Sequence, residues 1–364
     1  MKNILFILHY PPPKHGAAIV GEYIRGSQLI NDTFHCSYIN LGTSISVSEV
    51  GKGGIRKWTR YFNVIWTTCK SLIKSDPNLV YLTLTASGKG FYKDAVVVIL
   101  AKVFGKKVVF HFHNKGVQRR QHKWQDNLLY NIVFRNAEVI LLSKHLYSDI
   151  EKYVPKEKVH YCPNGIPAST TITLQEGKHK DSPVRLLFLS NLLESKGVFV
   201  LLECCSLLKA KQLPFECVFI GAEGDITVEQ LHRKIDFLGI GSCVHYHGKK
   251  YGMEKEVAYS KADIFVFPTH FETFGLVNLE AMQFSLPVVS TLEGGIPDVV
   301  DNGKTGFLVP PKDPIALAEK LEILIEDPCL RLTMGQKGRK RYMEEFTLDV
   351  FEKRFSTILK ELTK

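Results

Sequence analysis

Residues 264–282 read IFVFPTHFETFGLVNLEAM and contain one complete strand, loop and helix pattern. Its first part, 264–268, is an unbroken apolar run that ends in proline, which predicts a strand covered on both faces of a parallel sheet. Residues 275–284 then predict a helix that opens at a glycine. A buried strand followed directly by a loop and a helix is the repeating unit of a doubly wound α/β sheet.

The same alternation of apolar runs and helical stretches continues in both directions. In the second half, strands are predicted at 185–189, 216–220, 244–246, 264–268 and 288–290, and helices at 197–211, 228–237, 275–284 and 315–325. In the first half, strands are predicted at 3–9, 34–39, 79–83, 107–112 and 139–142, and helices at 17–30, 55–74 and 91–104. The last forty residues are predicted to be helical throughout. Open parallel sheets bind ligands beyond the carboxyl ends of their strands, so the loops after the strands are the candidate sites.

A punctuated segment divides the chain into two parts. Residues 162–167 read CPNGIP, and the polar run STTITLQEGKHKDS then extends to residue 182, which predicts an interdomain linker. The chain has 364 residues, more than one hydrophobic core usually supports. We therefore predict two Rossmann-like domains, at 1–168 and 169–345.

The net charge is distributed unevenly between these parts. Residues 1–168 contain 23 Lys and Arg against 10 Asp and Glu, whereas the remainder contains 24 against 27. The basic excess predicts an anionic partner for the first half, and nucleic acid and an acidic membrane surface both remain open at this point.

Membrane-spanning and secreted proteins do not fit the sequence. The longest apolar candidate, 95–104, contains Lys102 and is much shorter than the roughly 18 residues of a span. The apolar run 4–8 is too short for a signal peptide. The eight cysteines include no C-x-x-C pair, which predicts reduced, mostly buried thiols in a cytoplasmic protein.

Two carboxylates flank the predicted helix start in the opening stretch. Glu272 precedes the helix, and Glu280 follows about one and a half turns into it. The N–H groups at a helix N-terminus have no intrahelical partner and favour a phosphate. The carboxylate of Glu272 would accept hydrogen bonds from a sugar, the helix N–H groups would donate to a diphosphate, and the carboxylate of Glu280 would accept from a ribose. Two glutamates at this spacing also arise by chance.

The surrounding motifs resemble those of the family 4 retaining glycosyltransferases of glycosyltransferase group 1 type. That family carries E-x7-E within a strand, loop and helix, in a pattern near E-x-F-G-L-x-x-x-E-A-M, and residues 272–282 match it. Further segments follow in the family's order, namely PPKHG at 12–16, NG at 164–165, SNLLESKG at 190–197, FIGAEG at 219–224, GGIPD at 294–298 and NGKTGFLV at 302–309. The resemblance covers nearly the whole chain and implies the GT-B fold, in which two Rossmann-like domains face each other across a cleft. It also implies that residues 346–364 pack back on the first domain.

The resemblance implies an activity and a partner for each side of the reaction. The activity is transfer of a sugar from a nucleotide diphosphate sugar, with UDP favoured and GDP as the alternative. The acceptor is a glycan or a lipid-linked glycan, in surface polysaccharide biosynthesis.

The resemblance also implies roles for individual residues. Glu272 would hold hydroxyls of the donor sugar, Glu280 would bind the ribose, and Lys196 would neutralise the leaving diphosphate. Backbone N–H groups near Leu276 and Gly16 would assist. The implied catalytic residues are His113, Glu272 and Lys196, and the implied donor-binding residues are Gly16, Asn191, Lys196, Glu272, Phe274, Gly275, Leu276 and Glu280.

Two positions differ from the family pattern, and for a third a neighbouring residue could take the same role. Asn191 stands where the family usually has Arg, so the diphosphate site lacks one charge and a bidentate contact, and Lys249 is a candidate replacement. Asp298 stands where Glu is common. His113, after the strand 107–112, matches a histidine that faces the donor sugar, and His111 is its rival.

No metal or cofactor is expected. The chain contains no D-x-D, so the diphosphate would be bound by side chains and a helix end. No enzyme nucleophile is evident, which favours front-side displacement with retention over a covalent intermediate.

The basic half contains two segments rich in basic and aromatic residues, at 53–66 and 115–124. A helix of this composition can lie on an anionic bilayer, and it can equally be an ordinary amphipathic helix with its aromatics in the core. We therefore hypothesise peripheral association with the inner face of a membrane through the first domain.

Three other functions compete with glycosyl transfer as explanations of the sequence. A sugar-nucleotide epimerase of the same fold needs acids and bases that the sequence does not identify. A nucleic-acid-binding protein would use the basic half, but no such motif is present and nucleic acid is not expected as a partner. A dinucleotide-dependent oxidoreductase needs G-x-G-x-x-G after the first strand, where residues 11–16 read PPPKHG.

Overall fold

The computed structural model describes residues 1–12, 16–42, 55–169 and 182–364. These residues form two compact units, Met1–Asn164 with Leu348–Lys364, and Gly165–Thr347. The sequence predicts the two boundaries at residues 168 and 345. Most of the predicted linker, residues 13–15 of the glycine loop and residues 53–54 of the first basic segment lie outside the described residues.

The first unit is built on a six-stranded parallel sheet in the order β2-β1-β3-β4-β5-β6. Its strands are β1 Asn3–Leu8, β2 His35–Asn40, β3 Leu79–Leu82, β4 Lys107–Phe112, β5 Glu138–Leu141 and β6 Val159–Tyr161. Nearly every residue of β1 and β3 is buried. Burial on both faces explains why these strands show no apolar and polar alternation.

Helices cover both faces of this sheet. They are α1 Gly16–Gly26, α2 Gln28–Thr33, α3 Ile55–Lys74, α4 Gly88–Val103, α5 Val117–Arg120, α6 Trp124–Phe134 and, at the end of the chain, α14 Leu348–Leu362. The chain steps from β2 to β3, β4 and β5 in one direction across the sheet, so right-handed crossovers place α3, α4 and α6 on one face. α14 contacts α2 and packs Phe355 against Tyr81, with ring centroids 5.3 Å apart.

The second unit has a sheet of the same kind, in the order β12-β11-β10-β7-β8-β9. Its strands are β7 Val184–Leu189, β8 Phe215–Ile220, β9 Val244–Tyr246, β10 Ile264–Phe267, β11 Val288–Thr291 and β12 Gly306–Val309. β10 pairs with β7 in parallel. The loops after these two strands therefore begin next to each other at the carboxyl end of the sheet.

The helices of the second unit are α7 Val198–Ala210, α8 Val228–Phe237, α9 Gly252–Lys261, α10 Leu276–Gln283, α11 Ile296–Val299, α12 Pro314–Glu326 and α13 Pro328–Glu345. Side chains cap several of them. Asp313 accepts from two backbone N–H groups at the start of α12, and Asp327 does so from one in α13. Among the described helices, none combines the length and the apolar character that crossing a bilayer requires.

The predicted α/β class and each of the ten predicted strands are confirmed, with bounds that shift by at most one residue. The sequence did not predict the edge strands β6 and β12 or the helix α9. The prediction that the last forty residues are helical throughout is wrong. The helix α13 ends at Glu345, where the carbonyl of Phe346 instead accepts a hydrogen bond from Ile166 N at 3.0 Å, and α14 begins at Leu348.

Candidate functional site

Two glycines shape the start of α10, one in the loop after β10 and one in the loop after β11. Gly275 caps the helix in the left-handed conformation, with φ of 79°, which L-residues other than glycine adopt only with strain. Gly294 lies against the loop before the helix, because a Cβ there would be 2.3 Å from the carbonyl oxygen of Glu272. Gly295 N donates to Thr273 O at 2.8 Å. Close backbone contact thus fixes the loop that carries Glu272.

The carboxylate of Glu272 is held at both oxygens. Oε1 accepts hydrogen bonds from Thr273 N at 2.8 Å and Phe274 N at 3.4 Å. Oε2 accepts from Lys196 Nζ at 2.8 Å. The backbone N–H of Glu272 donates to Glu293 Oε1 at 3.2 Å. The group is therefore oriented toward the loop that follows β7, and it stays one-fifth exposed.

Lys196 reaches this place from the loop after β7. Gly197, with φ of 79°, starts α7 so close to the β10 loop that a Cβ would be 2.0 Å from Pro268 O. The carbonyl of Ser195 accepts the Thr269 hydroxyl at 2.9 Å, which joins the two loops. Lys196 Nζ also donates to Phe271 O at 3.1 Å. A cation thus lies at the carboxyl end of β10, beside the loop that leads into α10.

Glu280 is bound by two residues of α9 that the sequence does not predict to lie at the site. Lys255 Nζ donates to Oε1 at 2.7 Å, and the Tyr259 hydroxyl donates to Oε2 at 2.8 Å. Tyr259 is fully buried, and burial together with the nearby Glu280 carboxylate raises the pKa of its phenol well above the ordinary value. The carboxylate is one-fifth exposed. No spacing in the sequence links α9 to Glu280, because their contact depends on the packing of two helices.

The glycine turn after β8 meets the loops after β7 and β9. A Cβ on Gly221 would lie 1.8 Å from Ser190 O, and Gly221 N donates to Gly248 O at 3.0 Å. Asn191 follows directly on the β7 side and Lys249 on the β9 side, and both are exposed. The position that lacks the family's arginine therefore lies near the loop that carries Lys249.

Asn278, on the first turn of α10, has a fully buried side-chain amide. Neither its side-chain oxygen nor its nitrogen has a hydrogen-bond partner within the described part of the chain. A Cβ built on Gly275 would lie 2.7 Å from Asn278 Nδ2, so the amide lies beside the helix start. Buried amides are normally satisfied, so this amide beside a helix N-terminus is a candidate contact for a polar ligand.

The remaining predicted residues lie in the first unit. Gly16 is the exposed first residue of α1. His113 follows β4, and its ring centroid is 4.2 Å from that of His111. His111 is fully buried, with Nδ1 2.8 Å from the Tyr81 hydroxyl, and burial together with His113 holds its pKa well below the ordinary value. His111 is therefore enclosed in the core, whereas His113 is half-buried as a residue and has both ring nitrogens shielded from solvent.

No cluster of three or more His, Cys, Asp or Glu side chains suited to a metal ion is found in residues 1–12, 16–42, 55–169 and 182–364. Within the second unit, the structure brings Lys196, Glu272, Phe274, Gly275 and Leu276 together at the start of α10, and Glu280 lies along the same helix.

The sequence of the second unit matches a known family. Residues 170–341 correspond to the family described as glycosyl transferases group 1. This segment is a group 1 glycosyl transferase domain. The resemblance carried by residues 190–197 and 272–282 is thereby confirmed.

Curated relatives match this chain over part of their own length. CapM of Staphylococcus aureus, a capsular polysaccharide biosynthesis glycosyltransferase, is 33% identical over 178 residues, which are 48% of this chain and 46% of CapM. AmsK of Erwinia amylovora, an amylovoran biosynthesis glycosyltransferase, is 30% identical over 270 residues, 72% of this chain and 65% of AmsK. The chain thus spans about half of CapM and slightly less than two thirds of AmsK.

A solved structure matches the group 1 domain and the first unit together. HepE of Anabaena, solved in complex with UDP, superposes with a TM-score of 0.72 at 19% identity, over 99% of this chain and 100% of HepE. At that identity the likeness is one of fold, and it assigns the chain to the GT-B class that the sequence predicts.

Proposed function

We propose that this chain transfers a sugar from a nucleotide diphosphate sugar to a glycan or lipid-linked glycan in polysaccharide biosynthesis, with retention at the anomeric carbon. The observation that carries the proposal is the Lys196 ammonium beside the loop that opens α10. Two relatives are named for polysaccharide biosynthesis, and HepE was solved with UDP and with UDP-glucose. UDP is therefore the favoured nucleotide, and GDP is the alternative.

The proposed diphosphate site combines three kinds of donor. The N–H groups of Leu276 and Val277 are at positions whose amides have no intrahelical acceptor, and the helix dipole favours an anion there. Lys196 supplies a full positive charge. The Asn278 amide supplies a buried, unsatisfied donor beside them. These groups offset the charge that develops on a departing diphosphate, which is where such a reaction gains most of its rate.

The two glutamates fit the two ends of the donor. Glu280 is fixed by Lys255 and Tyr259, so its lone pairs are oriented before a ribose hydroxyl arrives. Glu272 is fixed by backbone N–H groups at Oε1 and by Lys196 at Oε2. When the diphosphate takes the Lys196 ammonium, Oε2 becomes an acceptor for the hydroxyls of the sugar. Donor binding thus changes the partner of Lys196 and completes the sugar site.

The proposed chemistry is front-side displacement. The bond between the anomeric carbon and the diphosphate oxygen breaks, and the acceptor hydroxyl attacks from the same face while its proton passes to the leaving phosphate. No enzyme nucleophile, metal or cofactor is part of the proposed step. We further predict that His113 faces the donor sugar.

The diphosphate site differs from the family pattern at Asn191, and we propose Lys249 as the compensating cation. The turn at Gly221 brings the loops of both residues together. Replacing Lys249 by Met is therefore expected to weaken donor binding, and Asn191→Arg is expected to restore it in that variant. Asn191 is exposed, so the larger side chain has room.

A panel of UDP- and GDP-sugars in a thermal-shift measurement tests the proposed donor. A ligand that binds only the folded protein raises the melting temperature by mass action. We expect one nucleotide sugar to stabilise the wild type and Glu326→Ala, an exposed glutamate on α12, but not Glu280→Ala. Stabilisation of Glu280→Ala to the same degree would contradict the proposed ribose site. Absence of any stabilising nucleotide sugar would contradict the donor class.

A further inference from the structure

Three helices lie side by side on one face of the first unit. The Tyr61 hydroxyl of α3 donates to the carbonyl of Lys93 in α4 at 2.9 Å, and Lys102 Nζ of α4 donates to the carbonyl of Ile132 in α6 at 2.9 Å. Both contacts join neighbouring helices of the layer that covers β3, β4 and β5. We call the outward side of α3, α4 and α6 the three-helix face.

The outward side of α3 is aromatic. Trp58, Phe62 and Trp66 are spaced four residues apart and are 61%, 63% and 71% exposed, and Ile73, at 69%, continues the line. At roughly 100° per residue these four side chains lie within an arc of about 80°. Val64, Thr68 and Leu72 are buried on another side of the helix. The aromatic side chains of this stripe are therefore not the ones that pack into the core.

The other two helices repeat the pattern. On α6, Trp124, Leu128 and Ile132 are exposed at the same spacing of four, and on α4 exposed residues are Tyr92, Val96 and Val103. Each of the three neighbouring helices thus presents an apolar stripe to the outside. Singly exposed apolar residues are ordinary on a protein surface, whereas adjacent stripes form a patch of the kind found at interaction sites.

All three tryptophans of the chain lie on the three-helix face. Each is more than half exposed, with Trp124 at 73%. Tryptophan is rarely left in water, because its ring is large and apolar, but it is enriched where one side of the ring is apolar and the other is wet. The boundary between lipid headgroups and acyl chains is such an environment.

Basic residues accompany the apolar stripes. α3 contains five basic residues and no acidic one. Lys70 and Lys74 are exposed next to its aromatic stripe, and Arg119 and Lys123 are exposed just before Trp124. The surrounding charge is therefore positive, which complements an anionic surface.

We propose that the three-helix face binds the surface of an anionic lipid bilayer, with the rings of Trp58, Trp66 and Trp124 in the headgroup region. The basic residues contact the lipid phosphates, and the aromatic and aliphatic stripes enter the boundary with the acyl chains. The unit that carries this face then remains at the membrane without a spanning segment. This inference does not depend on the proposed sugar transfer.

Two other occupants fit the face less well. In a symmetric dimer the same patch would meet itself, so the basic residues of both copies would face each other and repel. Nucleic acid would match the positive charge, but Leu128, Ile132 and Val96 offer nothing to a phosphate backbone. An anionic bilayer matches both the charge and the apolar stripes.

Cosedimentation with vesicles tests the proposal, and tryptophan emission reads out the contact. Because all three tryptophans lie on this face, the whole emission of the protein reports on it. We compare vesicles of phosphatidylcholine with vesicles that contain about one third phosphatidylglycerol, at low and high salt. Lipids brominated on the upper acyl chain quench a ring that enters the boundary region.

The main variant is Trp58→Ser with Trp66→Ser, which removes two exposed rings without touching the core. The matched control is Phe237→Ser, at an aromatic residue of the second unit that is 83% exposed. A second variant, Lys70→Glu with Lys74→Glu, reverses two exposed charges on α3. Unchanged melting temperatures show that each variant is folded.

We expect the wild type and Phe237→Ser to sediment with anionic vesicles at low salt, with emission that shifts to the blue and is quenched by brominated lipid. The tryptophan variant and the charge-reversal variant should each bind these vesicles at least about tenfold more weakly than the wild type. The proposal is overturned if the wild type stays in the supernatant, or if the tryptophan variant binds as the wild type does. It is also overturned if the emission is already blue-shifted in a lipid-free dimer, since a second copy then covers the face.

Discussion

Lys196 Nζ lies 2.8 Å from Glu272 Oε2, although 76 residues separate the two in the sequence. The parallel pairing of β7 and β10 brings their loops together, and Gly197 allows the close approach. Both side chains are about one-fifth exposed, so the cost of removing their charges from water offsets much of their mutual attraction and the pair adds little net stability. A pair of this kind can exchange partners cheaply when an anionic ligand arrives.

Replacing Lys196 by Met should reduce turnover of the donor by about 100- to 1000-fold, because the leaving diphosphate loses a full charge at its site. The free energy of unfolding should fall by about 1–3 kcal/mol, because Glu272 Oε2 loses a charged donor. The control is Lys304→Met, which breaks an ion pair of 3.0 Å with Asp301 elsewhere in the same unit. Steady-state kinetics and urea unfolding measure the two effects. Equal losses of activity in both variants would remove Lys196 from the site.

Glu280 should have a structural role and a binding role that can be separated. Glu280→Ala leaves the buried Tyr259 hydroxyl without its main acceptor and should cost about 1–3 kcal/mol of stability. Adding Tyr259→Phe should recover part of that stability, because the unsatisfied hydroxyl is gone. Binding of UDP, measured by calorimetry, should stay lost in the double variant. If UDP binding returned with the stability, Glu280 would be a purely structural residue.

Two glycines with the same backbone conformation allow strain and steric overlap to be compared. Gly197 and Gly303 both have φ of 79°, but a Cβ at Gly197 would lie 2.0 Å from Pro268 O, whereas nothing lies within 4 Å at Gly303. Gly303→Ala should cost only the left-handed strain, about 1–2 kcal/mol. Gly197→Ala should cost more and should also weaken donor binding, because the loop of Lys196 must move. Equal unfolding free energies for the two variants would show that the loops after β7 and β10 are not pressed together.

His111 should make the protein less stable in mild acid. Burial holds its pKa well below the ordinary value in the folded chain. As the pH falls below about 6.5, the unfolded chain takes up a proton that the folded chain does not, so stability is lost. On going from about pH 6.5 to 5.5, the wild type should therefore lose about 1 kcal/mol more stability than His111→Phe, and the difference should steepen toward about 1.4 kcal/mol per pH unit at lower pH.

His111→Phe suits the site because Phe355 stacks on the ring, with planes inclined by 26°. The lost contact with the Tyr81 hydroxyl adds a constant cost at every pH. Urea unfolding at several pH values measures the difference. Parallel curves for the wild type and the variant would mean that His111 is protonated in the folded state.

The strands were predictable because burial on both faces leaves unbroken apolar runs, such as 79–83 and 264–268. The edge strand β6, Val159–Tyr161, gives no such run, since its three residues are only half buried. α9 was missed because its outward residues are charged and its apolar residues are few. The break at Phe346 has no glycine or proline to mark it, and it depends on the contact between the carbonyl of Phe346 and Ile166 N.

The contacts of the candidate site also include some that the sequence predicts and some that it does not. The grouping of Lys196 with Glu272 follows from strand order and could be expected from motifs in the loops after β7 and β10. The contacts of Glu280 with Lys255 and Tyr259 could not, because they arise from the packing of α9 against α10. The unsatisfied amide of Asn278 is likewise visible only when burial is known. Sequence therefore indicates which loops meet, and packing decides which groups hold the carboxylates.

The most direct test of the proposed reaction is proton NMR of the purified protein mixed with the donor that the thermal panel selects and a glycan acceptor. The account predicts release of the nucleoside diphosphate and a new glycoside whose anomeric proton has the same configuration as in the donor. Lys196→Met should show neither signal on the same time scale. An inverted glycoside, an epimerised nucleotide sugar, or no release of nucleotide from any donor would contradict the account.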